Sequence, residues 1–336
     1  MFPNALDFWF VKSVFWLSNL VGRSVYTADI SFIGQVMIVI ARNFGQLGNR
    51  LFLYAHMIAA AKHYNTTVAN PCFAEYAHLF CHTQSDLWCR YPVVAKTNSP
   101  SLRQRRWLAK SVYLSSRMLA IVGLRSYPLN IIRLKGDEAC DLGGDEFAAL
   151  ARDNRHVLAQ GWKFRSNELM HKHADAIRSH FQILPEHQTN VDATVAKIRN
   201  QADVVVGVHI RHGDYKTFEG GKYFYSVEHY AKRMRQVADQ FSGQRVAFLV
   251  CSNAEMTPSD FAGLNVHYGT GHIVEDMYSF AQCDLLIGPP STYTGWASFY
   301  GSVPRCELTS VDTTINAKAL LGHQQNEDRH EPRKVA

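Results

Sequence analysis

The stretch Val204 to Glu219, VVVGVHIRHGDYKTFE, limits what this chain can become more than any other. Its first half, Val204 to Ile210, is a short apolar run rich in β-branched residues. Such a run fits a strand buried on both faces, as in a parallel sheet covered by helices. The run breaks at once into Arg211-His212-Gly213-Asp214. Charged and imidazole groups at the end of a buried strand are how an α/β fold offers chemistry to a ligand. The valines account for a strand; they do not account for His209, Arg211, His212, Asp214 and Glu219 crowded at its end.

Comparable runs recur on both sides. Gln35 to Ala41 reads as a strand, Arg42 to Asn49 as a turn with two glycines, Arg50 to His63 as a helix, and Thr66 to Ala69 as the next strand. That is a βαβ unit, whose helix start presents free N–H groups suited to a phosphate. The glycine spacing around Gly48 and Asn49 is not the dinucleotide fingerprint, and an ordinary tight turn fits it equally. Further on, Arg245–Cys251, Asn265–Tyr268, Asp284–Gly288 and Val303–Leu308 read as strands, and Ser226–Phe241, Val274–Gln282 and Trp296–Tyr300 as helices. In the middle, Trp107–Leu124 reads as a helix. Ser166–Phe181 reads as another, capped by Ser166, with His171, His173 and His180 on its surface. Pro185 opens a linker, and Val191–Asn200 is a short helix. The pattern predicts an α/β chain of two Rossmann-like domains facing a cleft. The expected layout is an aromatic segment over residues 1–34, an acceptor-side α/β domain over 35–200, a ligand-binding domain over 201–322, and a polar tail over 323–336.

The formal charge of +6 in 336 residues is unevenly spread. Between Leu87 and Lys135 there is no acid, but there are Arg90, Lys96, Arg103, Arg105, Arg106, Lys110, Arg117, Arg125, Arg133 and Lys135. Such a block suits an anionic ligand or membrane surface, or is simply a solvated face. It carries no nucleic-acid reading motif, so no nucleic-acid partner is expected. Seven scattered cysteines outline no disulfide framework and suggest reduced thiols. Cys72, His78, Cys81, His82 and Cys89 lie close in sequence but fit no common zinc spacing. The aromatic N-terminus, Phe8 to Val21, is interrupted by Lys12 and is too short to span a bilayer.

Arg211 can hold a phosphate through two parallel hydrogen bonds. Ser291 and Thr292 open a helix, where hydroxyls and free N–H groups hold a second phosphate face. Asp276, in a helical first turn, is either a ligand for a base or ribose or a carboxylate favoured by the helix dipole. No Walker A sequence is present, which disfavours nucleoside triphosphate hydrolysis.

His209-Ile-Arg211-His212-Gly213-Asp214 resembles the H-x-R-R-x-D motif of the fucosyltransferases that make α1,2 and α1,6 links and of their protein O-fucosyltransferase relatives. Phe44-Gly-Gln-Leu-Gly48-Asn49-Arg-Leu-Phe is similar to the N-terminal glycine motif of the α1,2 group. Glu275 to Asp284, followed by Leu-Leu-Ile-Gly-Pro-Pro-Ser291-Thr292, is similar to the helix and serine turn of that superfamily. The resemblance implies a GT-B-like fold of two Rossmann-like domains. It also implies inverting, metal-independent transfer of fucose from GDP-fucose to a glycan hydroxyl through an α1,2 link, with no cofactor beyond the donor. Carried over by position, Arg211 holds the β-phosphate, Asp276 contacts the guanine, and His209 and Asn253 line the nucleotide. Ser291 and Thr292 bind the diphosphate, Gly48 and Asn49 offer a further edge, Asp214 belongs to the catalytic motif, and Glu219 is the candidate base. His212 stands where the motif has its second Arg, and the C-terminal motif departs as Ser291-Thr-Tyr-Thr-Gly-Trp296. The absence of a membrane stem suggests a cytoplasmic enzyme, with the basic block and aromatic N-terminus docking it on the anionic inner face of a membrane. Two alternatives stay open: a catalytically weak nucleotide or glycan binder, and a metal-dependent phosphoesterase using His209, His212 and Asp214.

Overall fold

The computed structural model describes residues 36–328 except 95–98, 122, 124–128 and 154. The aromatic segment before residue 35 and the last eight residues lie outside this range. The chain divides into two compact units, Met1–Gln182 and Ile183–Ala336.

The first unit runs β1 (Met37–Ile40), α1 (Leu47–Tyr64), β2 (Thr67–Ala69), β3 (Arg90–Tyr91), α2 (Leu102–Ile121), β4 (Asn130–Arg133), β5 (Cys140–Asp141), α3 (Asp145–Arg152), β6 (Val157–Gln160), β7 (Phe164–Arg165), α4 (Asn167–Lys172) and α5 (Ala174–His180). Its main sheet has the order β3-β2-β1-β6-β4, with only β3 antiparallel. Helix α1 is apolar nearly all round and is buried accordingly, Leu51, Tyr54 and Ile58 being fully enclosed. The Tyr54 hydroxyl donates to the Cys89 carbonyl and sits 3.1 Å from His180 Nε2. Phe73 and Phe181 meet the Tyr54 ring edge-on.

Three expectations fail in this unit. The helix expected over Ser166–Phe181 is broken at His173, whose φ/ψ of −114°/25° is not helical. His180 is a core residue, not a surface one: burial, then the nearby His82, pushes its pKa down to about 3. The basic block is not one solvated face either. Arg90 is buried in a bidentate pair with Asp86 at 2.9 and 3.0 Å, and buried Arg105 donates to the carbonyls of Asp86 at 2.8 Å and Thr83 at 3.0 Å. Cys72 and Cys89 are buried thiols pushed up to about 12, and together with His78, Cys81 and His82 they form no metal-ligating group among the described residues. No disulfide joins any of the seven cysteines.

The second unit runs α6 (Pro185–Arg199), β8 (Val204–Ile210), α7 (Val227–Ala238), β9 (Val246–Ser252), β10 (Val266–Tyr268), α8 (Ile273–Phe280), β11 (Leu285–Gly288), α9 (Thr292–Gly301), β12 (Arg305–Glu307) and α10 (Ala317–Asp328). Its sheet is wholly parallel, in the order β10-β9-β8-β11-β12. Every residue of β8 is buried. Val204, Val206, Val208 and Ile210 pack with Phe248, Val250, Leu285 and Ile287 and with Tyr230, Met234 and Val237 of α7. Gly207 and His209 face the other way. There a Cβ on Gly207 would stand 2.7 Å from the Phe280 ring, so only glycine lets α8 lie this close.

Pro185 opens no linker. It occupies the first turn of α6, where its missing N–H costs nothing. Helix α6 belongs to the second unit, not to a domain ending at residue 200. Val191, Val195 and Ile198 are buried, and Arg199 pairs with Asp284 at 2.5 and 2.9 Å.

Candidate active site

In the second unit β8 is central. The chain builds β9 and β10 on one side of it, then crosses to build β11 and β12 on the other. The crevice beyond the carboxyl ends of β8 and β11 is thus a topological switch point, the place where open α/β sheets bind ligands. The motif residues fall around this edge because each apolar run ends there.

Continuing the side-chain alternation of β8, His209 is buried against Tyr293, ring centroids 5.1 Å apart and stacked, with Phe280 edge-on. Burial, reinforced by the charge of Arg211, drives its pKa down to about 3, so the imidazole is neutral at physiological pH. Its Nδ1 is buried with no hydrogen-bond partner among the described residues. Arg211 donates from Nε and Nη2 to Asp214 at 3.2 and 3.0 Å, and its guanidinium lies 5.1 Å from the Tyr215 ring centroid. The Arg211 hydrogen bond holds the Asp214 carboxyl below its usual range. The Tyr215 hydroxyl donates to the Pro290 carbonyl at 2.8 Å, tying the loop after β8 to the loop after β11.

His212 is directed into the protein fabric. Its backbone N–H donates to Asn253 Oδ1 at 2.8 Å, its Nε2 lies 2.9 Å from the Tyr225 carbonyl, and its ring packs on Phe224. Asn253 also crowds Gly213, where an added Cβ would meet its amide at 2.6 Å. Ser291 caps α9, its hydroxyl accepting from the Tyr293 N–H at 3.1 Å, and Thr292 starts that helix. Asp276 is buried in the first turn of α8 and accepts from Thr270 N at 2.7 Å and from Gly271 N at 3.3 Å. Burial raises its pKa, against these hydrogen bonds. One carboxylate oxygen is thus spent on holding its own loop. Glu219 is exposed in a short turn with φ 47° and ψ 41°, a left-handed conformation that an L side chain adopts only under constraint.

In the second unit, therefore, His209, Arg211, His212, Asp214, Glu219, Asn253, Asp276, Ser291 and Thr292 all lie in or beside segments leaving one sheet edge. Gly48 and Asn49 belong to the first unit. Gly48 is buried in the first turn of α1, and the Asn49 amide folds over Gly45, whose φ is 59°. Arg50 secures that turn by donating to the Gly45 carbonyl at 3.2 Å and the Cys72 carbonyl at 3.1 Å. His209, His212 and Asp214 do not converge as a metal-ligating group, which removes the phosphoesterase arrangement. Sequence reasoning missed Tyr215 and Tyr293. Their only sequence signal is adjacency to the two motifs; their roles come from stacking and from a hydroxyl that reaches across, Tyr293 donating to the Ile273 carbonyl at 2.8 Å.

The chain has the α/β fold of the fucosyltransferases. Among solved structures it is similar to the fucosyltransferase NodZ from Bradyrhizobium, with a TM-score of 0.50, 16% identity, and coverage of 82% of this chain and 96% of that one. It is also similar to an FUT1 variant of Arabidopsis thaliana in complex with GDP, with a TM-score of 0.52, 12% identity, and coverage of 88% of this chain and 75% of that one. No protein-family model and no curated protein matches the chain.

Proposed function

We propose that this protein is a glycosyltransferase that moves fucose from GDP-fucose to a hydroxyl of a glycan acceptor, with inversion at the sugar carbon and an α1,2 link. One observation carries the reading: the Arg211–Asp214 pair and the capped start of α9 flank the β8/β11 switch point of a fold shared with fucosyltransferases. The acceptor oxygen attacks the fucose anomeric carbon as the bond to the β-phosphate oxygen breaks. Arg211 and the N–H groups of α9 take up the charge on the departing GDP. Asp214 is a positioning residue, aiming the guanidinium. Glu219 receives the acceptor proton, and its constrained backbone conformation supports that role. Neutral His209 and the loop of Asp276 line the nucleotide. No residue of this step requires a metal.

The test is a thermal-shift series followed by turnover. GDP and GDP-fucose at 100 times their dissociation constants stabilise by about 2.7 kcal/mol, and UDP-sugars do not. Arg211→Ala lowers turnover by about 10²-fold or more. Glu219→Gln lowers it by a similar factor while keeping the GDP shift. Glycosidic-linkage analysis of the product reads the position. The absence of any shift with GDP-fucose sinks the proposal. The second reading, a binder without turnover, is favoured by His212, whose ring is spent on the Tyr225 carbonyl rather than offered to a phosphate. GDP binding with no turnover on any glycan acceptor selects it.

No helix among the described residues is long and apolar enough to cross a membrane. A peripheral contact with anionic lipid on the cytoplasmic face is supported by α2. Its outer face exposes Trp107 (57%), Leu114, Met118 and Ile121 (65%), interleaved with exposed Arg103, Arg106, Lys110 and Arg117. A helix of this make-up lies in the interface plane. Flotation with vesicles rich in phosphatidylserine is expected to recover the wild type and to lose a Trp107→Ala, Ile121→Ala double variant. Equal recovery refutes the contact.

A further inference from the structure

Where the first turn of α6 meets the first turn of α8, His187, His272 and Glu275 converge. Among the described residues they are the one group of three or more His, Cys, Asp or Glu side chains whose ligand atoms all lie within 4.8 Å. His187 Nδ1 is 2.8 Å from Glu275 Oε1, and His272 Nδ1 is 4.0 Å from the same oxygen. The two rings lie nearly parallel, stacked 4.5 Å apart with 21° between their planes, so one of them must turn about its side-chain torsions for both Nδ1 atoms to reach one ion. Each half of the arrangement is set by the start of its own helix. His272 occupies the N-cap position of α8 without a side-chain capping bond, Glu275 follows three residues later on the same side, and Pro185 starts α6 so that His187 falls in its first turn.

Glu275 is a buried anion with no lysine or arginine ion pair among the described residues; its side chain is 7% exposed. Burial raises its pKa, but hydrogen bonds from Asn190, His187 and Thr270 outweigh that and leave it below its usual value. Among the described residues His272 Nδ1 is buried with no hydrogen-bond partner, and 4.0 Å is too long for a bond to the carboxylate. Ligand atoms on one tetrahedral zinc, each about 2.0–2.1 Å from the ion, stand about 3.3 Å apart. The two observed separations bracket that spacing. Asn190 Nδ2, 2.9 Å from the same Oε1, would help hold the carboxylate in place.

We propose that His187 Nδ1, His272 Nδ1 and Glu275 Oε1 bind a divalent first-row transition metal of the zinc class, with water completing the shell. The site is structural: it cross-links α6 to the start of α8, beside the loop that holds Asp276, and no step of the transfer runs through it.

The experiment uses the full chain, stripped with a chelator and desalted. Zn²⁺ is titrated against a chromophoric competitor, and Co²⁺ serves as the spectroscopic probe. One saturable equivalent is expected, with visible d–d bands from Co²⁺ and a raised Tm. His272→Ala removes only a partly exposed ring, so it folds; it should weaken binding about tenfold or more and abolish both the bands and the Tm rise. Exposed His171→Ala should change nothing. Failure to find one saturable equivalent, or binding by His272→Ala as tight as wild type, overturns the proposal. Because the readouts are metal affinity and spectra, they stand whether or not the chain transfers fucose.

Discussion

Three histidines are held neutral by the fold, and this links stability to pH. Burial is the main cause in each case: His56 falls to about 4, and His180 and His209 to about 3. An unfolded chain protonates each near 6.5, so below that pH the unfolded state binds more protons and the native state loses ground. Stability from these groups is complete above about pH 6.5 and declines as pH falls toward the folded values. Each contributes a slope of up to about 1.4 kcal/mol per pH unit. His180→Phe should keep the Tyr54 hydroxyl bonded to Cys89 and make the decline shallower by one histidine's share, read from urea melts at pH 5 and pH 7. An unchanged slope would mean that His180 already carries its proton in the folded state. The burial of His209 was legible from its apolar strand, but that of His56 and His180 was not, because it depends on partners far along the chain, Tyr54 being 126 residues from His180. Arg211, Asp214, Ser291 and Thr292 were legible, because each stands just after an apolar run whose end must lie on a sheet edge.

The strands were the clearest elements, since a short β-branched run between turn residues has few other readings. Helix limits were harder. Helix α2 begins at Leu102, before the expected Trp107, and α1 begins at Leu47, so Gly48 lies inside a helix rather than in a turn. The strand–turn–helix from β1 to α1 rests on Gly45 with φ 59°, where an added Cβ would stand 1.9 Å from Asn49 Nδ2. Gly45→Ala should cost about 1–2 kcal/mol from the left-handed backbone alone. Adding Asn49→Ala should recover only the contact part, as a non-additive term in a double-mutant cycle. Full recovery would show that the backbone at this position is unstrained.

At the scale of the whole molecule, two α/β units were readable from the alternation of strands and helices, but the seam between them was not. A proline followed by polar residues reads as a linker, and only tertiary contacts reveal that α6 closes the second unit. Asp284 makes the case in one side chain. It accepts from Arg199 at the end of α6 and, at 2.7 Å, from the Val205 N–H of β8. Val191, Val195 and Ile198 bury the inner face of α6, and exposing three such side chains costs about 1.5–3 kcal/mol each. That sum rivals the 5–15 kcal/mol (roughly) by which a domain is stable at all. A fragment of residues 183–328 should therefore melt cooperatively and shift with GDP, while a fragment of residues 201–328, cut where the sequence suggested, should not. Equal melting of the two would show that α6 is dispensable, and would return the boundary to residue 200.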